Sequence, residues 1–297
     1  MYNEFIMREL IVNKRYDGKK LNNFLLDNFD GLSLNMLYKA LRKKDIKINN
    51  KRINENVTVF LDDVIQVFIS DEFLFNNSSV DLNIVFEDDN IIVINKPANI
   101  EVISNTSTTS ITNILQQNYK NILEDNFPYP CHRLDRNTKG LVLFAKNKET
   151  LDFLFEKFKT REIDKFYKCH VYGIPNKNSE ILTAYLFKDN KKSLVYISDV
   201  YKKGYQKIIT SYKVLYVDKE NNVSTLEVKL ETGRTHQIRA HLAHTGYPII
   251  GDGKYGINQI NKKFNKKTQE LCAYKLVFSF KTCPDKFCYL NGKEICL

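Results

Sequence analysis

The chain has 297 residues, of which 43% are hydrophobic and 12% aromatic, so it can bury a substantial core and is not globally disordered. No run approaches the roughly 18 consecutive apolar residues of a membrane-spanning helix. Lysine and arginine number 45 against 35 aspartates and glutamates, and this surplus favours a polyanionic partner, most commonly nucleic acid.

The first ten residues lack the basic start and long apolar stretch of a signal peptide, so we expect a cytoplasmic protein. Residues 14–72 are typical of a small basic module. Apolar spacing predicts helices near residues 21–25 and 34–41, a strand at 46–48, a turn at 49–50 and a closing strand over 64–69. Between positions 14 and 52 stand eleven basic and four acidic residues. Three basic residues that end the second helix are candidate RNA contacts: Arg42, Lys43 and Lys44.

A linker is predicted over residues 73–80, followed by a second domain over 81–297. Its apolar patterns predict strands at 91–94, 141–145, 165–171 and 274–280, a helix near 151–158, and a hairpin of 213–217 with 225–230. Strand patterns outnumber helix patterns without a regular βαβ alternation, which favours an α+β class over a doubly wound sheet. The six cysteines form no C-x-x-C pair and no zinc-type quartet, so we expect them to be reduced.

The most informative segment is residues 132–141, where Asp135 stands between Arg133 and Arg136. A nearby cation favours the charged form of a carboxylate, so we expect Asp135 to be ionised at neutral pH. Such a carboxylate can act as a nucleophile or a general base. An ordinary ion-paired loop is the alternative.

Three further segments accompany this one: residues 95–97 (NKP), residues 165–173 (KFYKCHVYG) and residues 232–242 (TGRTHQIRAHL), the last followed by a G-x-P-I-I-G-D run over 246–252. In this order and spacing the four segments resemble the RluA family of pseudouridine synthases over residues 81 to about 280. Residues 14–72 resemble the S-four type of ribosomal-protein RNA-binding module.

The resemblance implies a mixed, mainly antiparallel sheet and an isomerase that needs no cofactor and no metal. It implies an essential aspartate at Asp135, an arginine at Arg239 that pairs with it, and a tyrosine at Tyr167 that stacks on the target uracil and can help remove a ring proton. On an alternating strand Tyr167 shares a face with Cys169 and Val171, so an ordinary core tyrosine is the alternative.

The chemistry requires the target base to leave its stack. By resemblance, Arg133 occupies the space that the extruded nucleotide leaves, and three more cations are candidate RNA contacts: Arg136, Lys139 and Arg234. The combination of module and domain is most similar to enzymes that act on 23S ribosomal RNA. Transfer RNA is the alternative substrate, and a non-catalytic RNA-binding factor is the alternative function. We expect a monomer.

Several positions depart from the family pattern. Asn50, Asp62 and Asn99 stand where glycine is usual, and asparagine tolerates a left-handed backbone better than most residues. Asn137 and Lys139 replace an acidic and a small residue. Gly233 fits a position that needs positive φ.

Three closely spaced histidines raise the alternative of a metal site: His236, His241 and His244. On a helix His241 and His244 would share a face, whereas His236 would be rotated away from both. No H-E-x-x-H pattern is present.

Overall fold

A computed structural model describes residues 7–29, 31–74, 82–104, 110–120, 122–124 and 126–297. These residues divide into two units, with the described residues up to Leu74 in the first and residues 82–103 and 110–297 in the second. No helix within the described residues is long and apolar enough to cross a membrane.

The first unit is a four-stranded antiparallel sheet, in the order β1-β6-β3-β4, with two main helices and a two-stranded pair β2-β5. Its elements are β1 Arg8–Ile11, a 3-10 turn Lys14–Tyr16, β2 Lys19–Lys20, α1 Leu21–Asn28, α2 Leu34–Lys43, β3 Ile46–Ile48, β4 Lys51–Ile53, β5 Thr58–Val59, β6 Val64–Val67 and α3 Asp71–Leu74. The two predicted helices and the turn between β3 and β4 are therefore present. Their apolar faces meet the sheet in one buried cluster that includes Phe24, Leu37 and Ile65.

This unit extends beyond the predicted module at both ends. β1 lies before residue 14, yet it pairs with β6 over its whole length. Phe73 and Leu74, predicted as the start of the linker, belong to α3, and Leu74 is fully buried in the core because it is apolar. The rest of the predicted linker lies outside the described residues.

Turn positions at which the family has glycine keep a left-handed backbone here. Asn50 has φ 66°, Asp62 has φ 65° and Asn99 has φ 70°. Asparagine and aspartate visit this region at modest cost because their short polar side chains bond locally. These three turns therefore adopt the left-handed conformation without glycine.

The second unit is built on one long sheet, in the order β13-β12-β14-β15-β11-β16-β10-β8-β7, with β17 on β16 and β9 on β10. Its elements are β7 Ile84–Glu87, β8 Ile91–Lys96, α4 Ile111–Tyr119, β9 Tyr129–Pro130, β10 Lys139–Ala145, α5 Lys148–Lys159, β11 Ile163–Tyr172, β12 Ser179–Asp189, β13 Leu194–Ser198, β14 Gln206–Asp218, β15 Val223–Leu230, α6 Gln237–His244, α7 Asn258–Lys263, β16 Leu271–Phe278, α8 Asp285–Cys288 and β17 Glu294–Cys296. The strand pairings are antiparallel except for that of β10 with β16. The predicted α+β class with a mainly antiparallel sheet is confirmed.

The parallel pair at the centre of the sheet brings distant segments together. Ala273 of β16 lies opposite Gly140 of β10 on one side and opposite Tyr167 of β11 on the other. Gly140 has φ 117°, and a Cβ atom there would lie 2.2 Å from the Ala273 carbonyl oxygen. Only glycine permits this approach, which places the loop before β10 beside Tyr167.

Tyr167, Cys169 and Val171 point to the same face of β11, as the alternation predicted, and pack in one buried cluster with Ile238 and Leu242 of α6. This helix therefore covers the sheet face that carries Tyr167. The packing fixes the first turn of α6 next to β11.

Three features of the second unit differ from the prediction. Helix α4 and the β12–β13 pair were not predicted. Helix α4 buries Ile111, Thr112 and Leu115, and one face of β12 buries Ala184 and Leu186. The last long strand begins at Leu271 and ends at Phe278. Cys283 and Cys288 form a disulfide across the turn at α8, with Cα atoms 5.4 Å apart, so the expectation of six reduced cysteines is wrong for this pair.

Candidate active site

A cavity of about 590 Å³ opens between the loop of residues 132–138, strand β11 and the start of α6. Asp135, Tyr167 and Arg239 all line it. The structure thus brings together three residues from segments that are far apart in the sequence. Of the cations predicted to contact RNA, three also line this cavity: Arg133, Arg136 and Arg234.

Asp135 is held by an ion pair with Arg239. Nη1 of Arg239 donates to Oδ2 of Asp135 at 2.8 Å, across 104 positions of sequence. The opposite edge of the guanidinium is bidentate on Asp252, with Nε to Oδ2 at 2.7 Å and Nη2 to Oδ1 at 3.0 Å. Oδ1 of Asp252 also accepts the backbone N–H groups of Lys254 and Tyr255. Arg239 is therefore locked in one orientation, with its Nη1 directed to Asp135.

The side chains of Asp252, Arg239 and Asp135 form a buried charge chain, in which each ionised group stabilises its neighbour. Burial by itself would lower the pKa of Arg239, but the hydrogen bonds and charges of Asp252 and Asp135 raise it above its ordinary value. Burial would raise the pKa of Asp252, but the guanidinium and the backbone N–H groups lower it. Arg239 stays cationic and Asp252 anionic at neutral pH, so the guanidinium is a cation shared by the two carboxylates, Asp252 and Asp135.

The two oxygens of Asp135 differ in their surroundings. Arg239 contacts Oδ2, and the imidazole Nε2 of His236 lies 4.0 Å from the same oxygen. Oδ1 accepts no hydrogen bond from any described residue, and 24% of the side chain is exposed. Among the contacts of the described residues, Oδ1 is thus the oxygen of Asp135 that carries no hydrogen bond.

Tyr167 lines the cavity from β11, and only 5% of the residue is exposed. Burial, and then the negative charge of Asp135, raise the pKa of its phenol. The hydroxyl is therefore protonated at neutral pH and cannot act as a base without first losing its proton. What it offers is a flat apolar ring beside the carboxylate and one O–H group.

Two buried side chains that sequence reasoning missed hold the loops of the site. Lys96, fully buried at the end of β8, donates to the carbonyls of Pro97, Ile100 and Arg136 at 2.8, 2.9 and 3.0 Å, which ties the Asp135 loop to the strand end. Burial lowers the pKa of Lys96 to about 8, and the charge of Asp135 opposes this shift. The lysine of the NKP segment is the sequence feature that could have predicted this role. A lysine at the end of an apolar strand becomes buried and then needs hydrogen-bond acceptors from nearby loops.

Gln237 clamps the second loop. Its Oε1 accepts from the Thr232 hydroxyl and the Arg234 N–H, and its Nε2 donates to the Ile209 carbonyl and the Thr210 hydroxyl. All four bonds come from a side chain that is only 2% exposed. The loop of residues 232–236 is therefore pinned to β14.

The left-handed residue of this loop is His236, with φ 54°, and not Gly233. The expectation of positive φ at Gly233 is wrong, because the chain reverses at the residue immediately before α6. The His236 side chain is thereby directed to the Asp135 side of the helix start.

The remaining predicted cations lie in different places. Arg133, Arg136 and Arg234 are all exposed, and the Nε of Arg136 also donates to the Asn99 carbonyl at 3.1 Å. Lys139 is exposed at the start of β10 and does not line the cavity. Three exposed residues lie at the end of α2 in the first unit: Arg42, Lys43 and Lys44.

Lys165 is a cavity-lining cation that was not predicted. Its Nζ lies 5.0 Å from the centre of the Phe158 ring, and burial lowers its pKa to about 8. It adds positive charge to the cavity near His132 and Gly233.

The three neighbouring histidines have three different partners. His236 contacts Tyr255, His241 contacts the Thr210 hydroxyl, and His244 contacts Asp199. Within the described part of the chain no group of three or more His, Cys, Asp or Glu side chains could hold a metal ion.

Comparison with known proteins gives consistent matches. Residues 90–244 match the family described as RNA pseudouridylate synthase. An uncharacterized RNA pseudouridine synthase of Mycoplasma capricolum is 33% identical, over 97% of this chain and 97% of its own length. A ribosomal large subunit pseudouridine synthase C of Rickettsia felis is 31% identical, over 94% of this chain and 92% of its own.

Among solved structures, human RNA pseudouridylate synthase domain containing 1 matches with a TM-score of 0.55. The alignment covers 71% of this chain and 86% of the human chain at 23% identity. At this identity the likeness shows a shared fold.

Proposed function

This chain belongs to the RluA family of RNA pseudouridine synthases, isomerases that convert uridine to pseudouridine in RNA, and from this premise we propose that its substrate is large-subunit ribosomal RNA. Relatives of about 30% identity from Rickettsia felis and Buchnera aphidicola carry the name ribosomal large subunit pseudouridine synthase C and align over about nine-tenths of this chain. Transfer RNA is the alternative substrate.

Asp135 is the proposed catalytic carboxylate. Isomerisation breaks the bond between ribose and uracil and forms a new one to a ring carbon, with no net hydrolysis or redox change. One observation carries the assignment: Arg239, locked by Asp252, holds Oδ2 of the cavity-lining Asp135, while Oδ1 accepts no hydrogen bond from a described residue. A fixed carboxylate with one free oxygen suits attack on the substrate or removal of a substrate proton.

The uridine must leave its stack before it can reach this carboxylate. Tyr167 is the proposed platform for the extruded uracil, because its ring lines the cavity beside Asp135 and base–aromatic stacking stabilises an everted base by about 1–3 kcal/mol. Arg133 is exposed at the rim, two positions before Asp135, and is the proposed occupant of the vacated stack. Arg136, Lys139 and Arg234 are proposed contacts for the RNA backbone.

The first unit is the proposed RNA-binding module. Helix α2 ends in Arg42, Lys43 and Lys44, all of them exposed. No described acidic side chain forms a salt bridge with these three residues. Unpaired cations on one helix end can neutralise phosphates and release counterions.

The substrate proposal is tested by incubating the purified protein with 23S ribosomal RNA and, separately, with bulk transfer RNA, followed by chemical mapping of pseudouridine. We expect new pseudouridine in the ribosomal RNA. Modification confined to transfer RNA would replace the substrate assignment and leave the enzyme class unchanged.

The catalytic proposal is tested by Asp135→Asn, which keeps the shape of the side chain and removes its charge. We expect no turnover and near-normal RNA affinity, because the cationic contacts are untouched. Measurable turnover by this variant, free of wild-type protein, would contradict the role of Asp135.

The module proposal is tested by replacing Arg42, Lys43 and Lys44 together with alanine and measuring RNA affinity against salt concentration. Affinity should fall, and the slope of log affinity against log salt should decrease by about one for each phosphate that the variant no longer neutralises. An unchanged slope would remove α2 from the RNA interface. Lys148, an exposed lysine paired with Asp152, provides a matched control as Lys148→Ala.

A further inference from the structure

His236 and Tyr255 form a second arm that reaches Asp135, separate from the Arg239 arm. The Nδ1 atom of His236 lies 2.8 Å from the Tyr255 hydroxyl oxygen, and the backbone N–H of Val195 donates to that oxygen at 2.9 Å. On the other side of the imidazole, Nε2 lies 4.0 Å from Oδ2 of Asp135. The imidazole therefore lies between a phenol and the carboxylate.

The positions of the protons follow from this geometry. Because the phenol oxygen already accepts from Val195, its own proton is free to be donated to Nδ1 of His236. The neutral imidazole then carries its proton on Nε2, where an N–H faces the negative Oδ2 of Asp135. The other tautomer would turn a lone pair on Nε2 toward that negative oxygen, which is electrostatically unfavourable.

The protonation states are consistent with this assignment. Burial lowers the pKa of His236; the charge of Asp135 opposes this shift, and the charges of Arg239 and Lys254 add to it. The imidazole is thus neutral near pH 7. Burial also raises the pKa of Tyr255, so its phenol keeps the proton that Nδ1 accepts.

Both arms are anchored on one loop. The N–H of Tyr255 donates to Oδ1 of Asp252, the residue that holds Arg239, and the Arg239 guanidinium lies 5.3 Å from the centre of the Tyr255 ring. The left-handed backbone of His236 is also fixed, since the next residue is Gln237 with its four hydrogen bonds. Residues 252–255 therefore place both groups that face Oδ2.

We propose that His236 is a positioning residue for the pseudouridine reaction: its Nε2–H, held in that tautomer by Tyr255, fixes Oδ2 of Asp135 together with Arg239 and so turns Oδ1 toward the substrate. The inference rests on the proposed catalytic role of Asp135. At 4.0 Å the N–H attracts the carboxylate without a full hydrogen bond, and such contacts tighten when substrate fills the site. Because Arg239 and His236 both face Oδ2, they oppose the rotation of the Asp135 carboxylate that would exchange Oδ1 and Oδ2.

The test compares His236→Gln with His236→Met on the RNA that the wild-type protein modifies. The two side chains are similar in size and are equally unbranched at Cβ for the left-handed backbone, but only glutamine can present an N–H to Asp135. We expect kcat of His236→Met to fall about tenfold, the loss expected for one hydrogen bond to a charged group, with KM unchanged. His236→Gln should stay within about threefold of wild type on the same scale. Equal kcat values for the two variants, at any level, would overturn the proposal.

Tyr255→Phe tests the tautomer through a double-mutant cycle. Alone it should lower kcat by about threefold to tenfold, and in the His236→Met background it should have no further effect, because the hydroxyl acts through the imidazole. The same factor in both backgrounds would overturn the role of Tyr255. Tyr255→Phe also leaves the Val195 N–H without its acceptor, but it does so in both backgrounds, so this loss does not contribute to the difference in kcat effect that the cycle measures.

Asp135→Asn is measured beside these variants. Turnover by Asp135→Asn would refute the catalytic assignment on which the inference rests. If Asp135→Asn is inactive and His236→Gln and His236→Met have equal kcat values, the inference about His236 is refuted and the catalytic assignment stands.

Discussion

Asp252 carries no proposed contact with substrate, yet the site depends on it, and Asp252→Asn is the sharpest perturbation of the buried charge chain. The carboxylate is 1% exposed and accepts four hydrogen bonds, two from Arg239 and two from backbone N–H groups. Asparagine can keep its oxygen at the Oδ1 position. Its amide NH2 then stands at the Oδ2 position, 2.7 Å from the donor Nε of Arg239.

The substitution therefore turns the shortest bond of the pair into a contact between two donors and removes the counter-charge of a buried guanidinium. Removing one partner of a buried ion pair costs about 3–5 kcal/mol. Arg239 keeps Asp135 as a second counter-ion, so the lower end, about 3 kcal/mol, applies here. At roughly 2 °C per kcal/mol for a large domain, the thermal midpoint should fall by about 6 °C.

The assay is thermal unfolding across pH, with kcat measured on the modified RNA. The folded-state pKa of Asp252 is depressed, so its contribution to stability is present above the ordinary carboxyl pKa of about 4 and is lost as pH falls through the folded value. The midpoint difference between wild type and Asp252→Asn should accordingly shrink as pH is lowered below about 4. We expect kcat to fall about tenfold to a hundredfold, since a freed guanidinium no longer fixes Asp135.

A control is Asp199→Asn, which breaks an exposed pair with His244 in which 79% of the aspartate side chain is exposed. An exposed pair is worth about 0–1 kcal/mol, so its midpoint should barely move. Two results would contradict this reasoning: Asp252→Asn unfolding at the wild-type temperature, or a midpoint difference from wild type that is the same at every pH. Either would mean that the Asp252–Arg239 ion pair does not stabilise this site.

Further outcomes are expected for three other positions. Tyr167→Phe keeps the stacking ring and should lower kcat by about a hundredfold at similar KM if its O–H takes part in proton transfer; unchanged kcat would limit it to stacking. Gly140→Ala should cost about 2–5 kcal/mol in chemical denaturation, since its Cβ would lie 2.2 Å from a carbonyl oxygen. Gly204→Ala, at a left-handed position with open space, should cost only about 1 kcal/mol, and equal losses would contradict the clash. A hydrogen bond from a buried lysine and a backbone N–H lower the pKa of Glu162 to about 2, so Glu162→Gln should melt lower than wild type at pH 7, and the gap should close as pH falls toward 2; a constant gap would contradict this.

The local structure of this protein follows from its sequence. Apolar spacing predicted α1, α2 and α5, continuous apolar runs predicted β8 and β10, and alternation predicted β11, because each of these patterns depends only on neighbouring residues. Strand β12 was not predicted because its exposed face carries the apolar Ile181 and Phe187, which removes the alternation of apolar and polar residues. Helix α4 was not predicted either, although it buries three side chains, as α1 does. The Cys283–Cys288 disulfide was not predicted, because the C-x4-C spacing does not determine whether a turn brings the two Cα atoms close together.

The sequence alone also determined the enzyme family, since the four motifs are strings of residues that can be recognised without coordinates, and it singled out Asp135, Tyr167 and Arg239. Only the tertiary structure decided that Oδ2 is the occupied oxygen of Asp135, that Asp252 locks Arg239, that Lys96 and Gln237 hold the loops, and that His236 lies beside Asp135. These relations join segments up to 104 positions apart, and they depend on one parallel strand pair in an otherwise antiparallel sheet. Local periodicity carries no information about such pairings, because they are selected by the packing of the whole sheet.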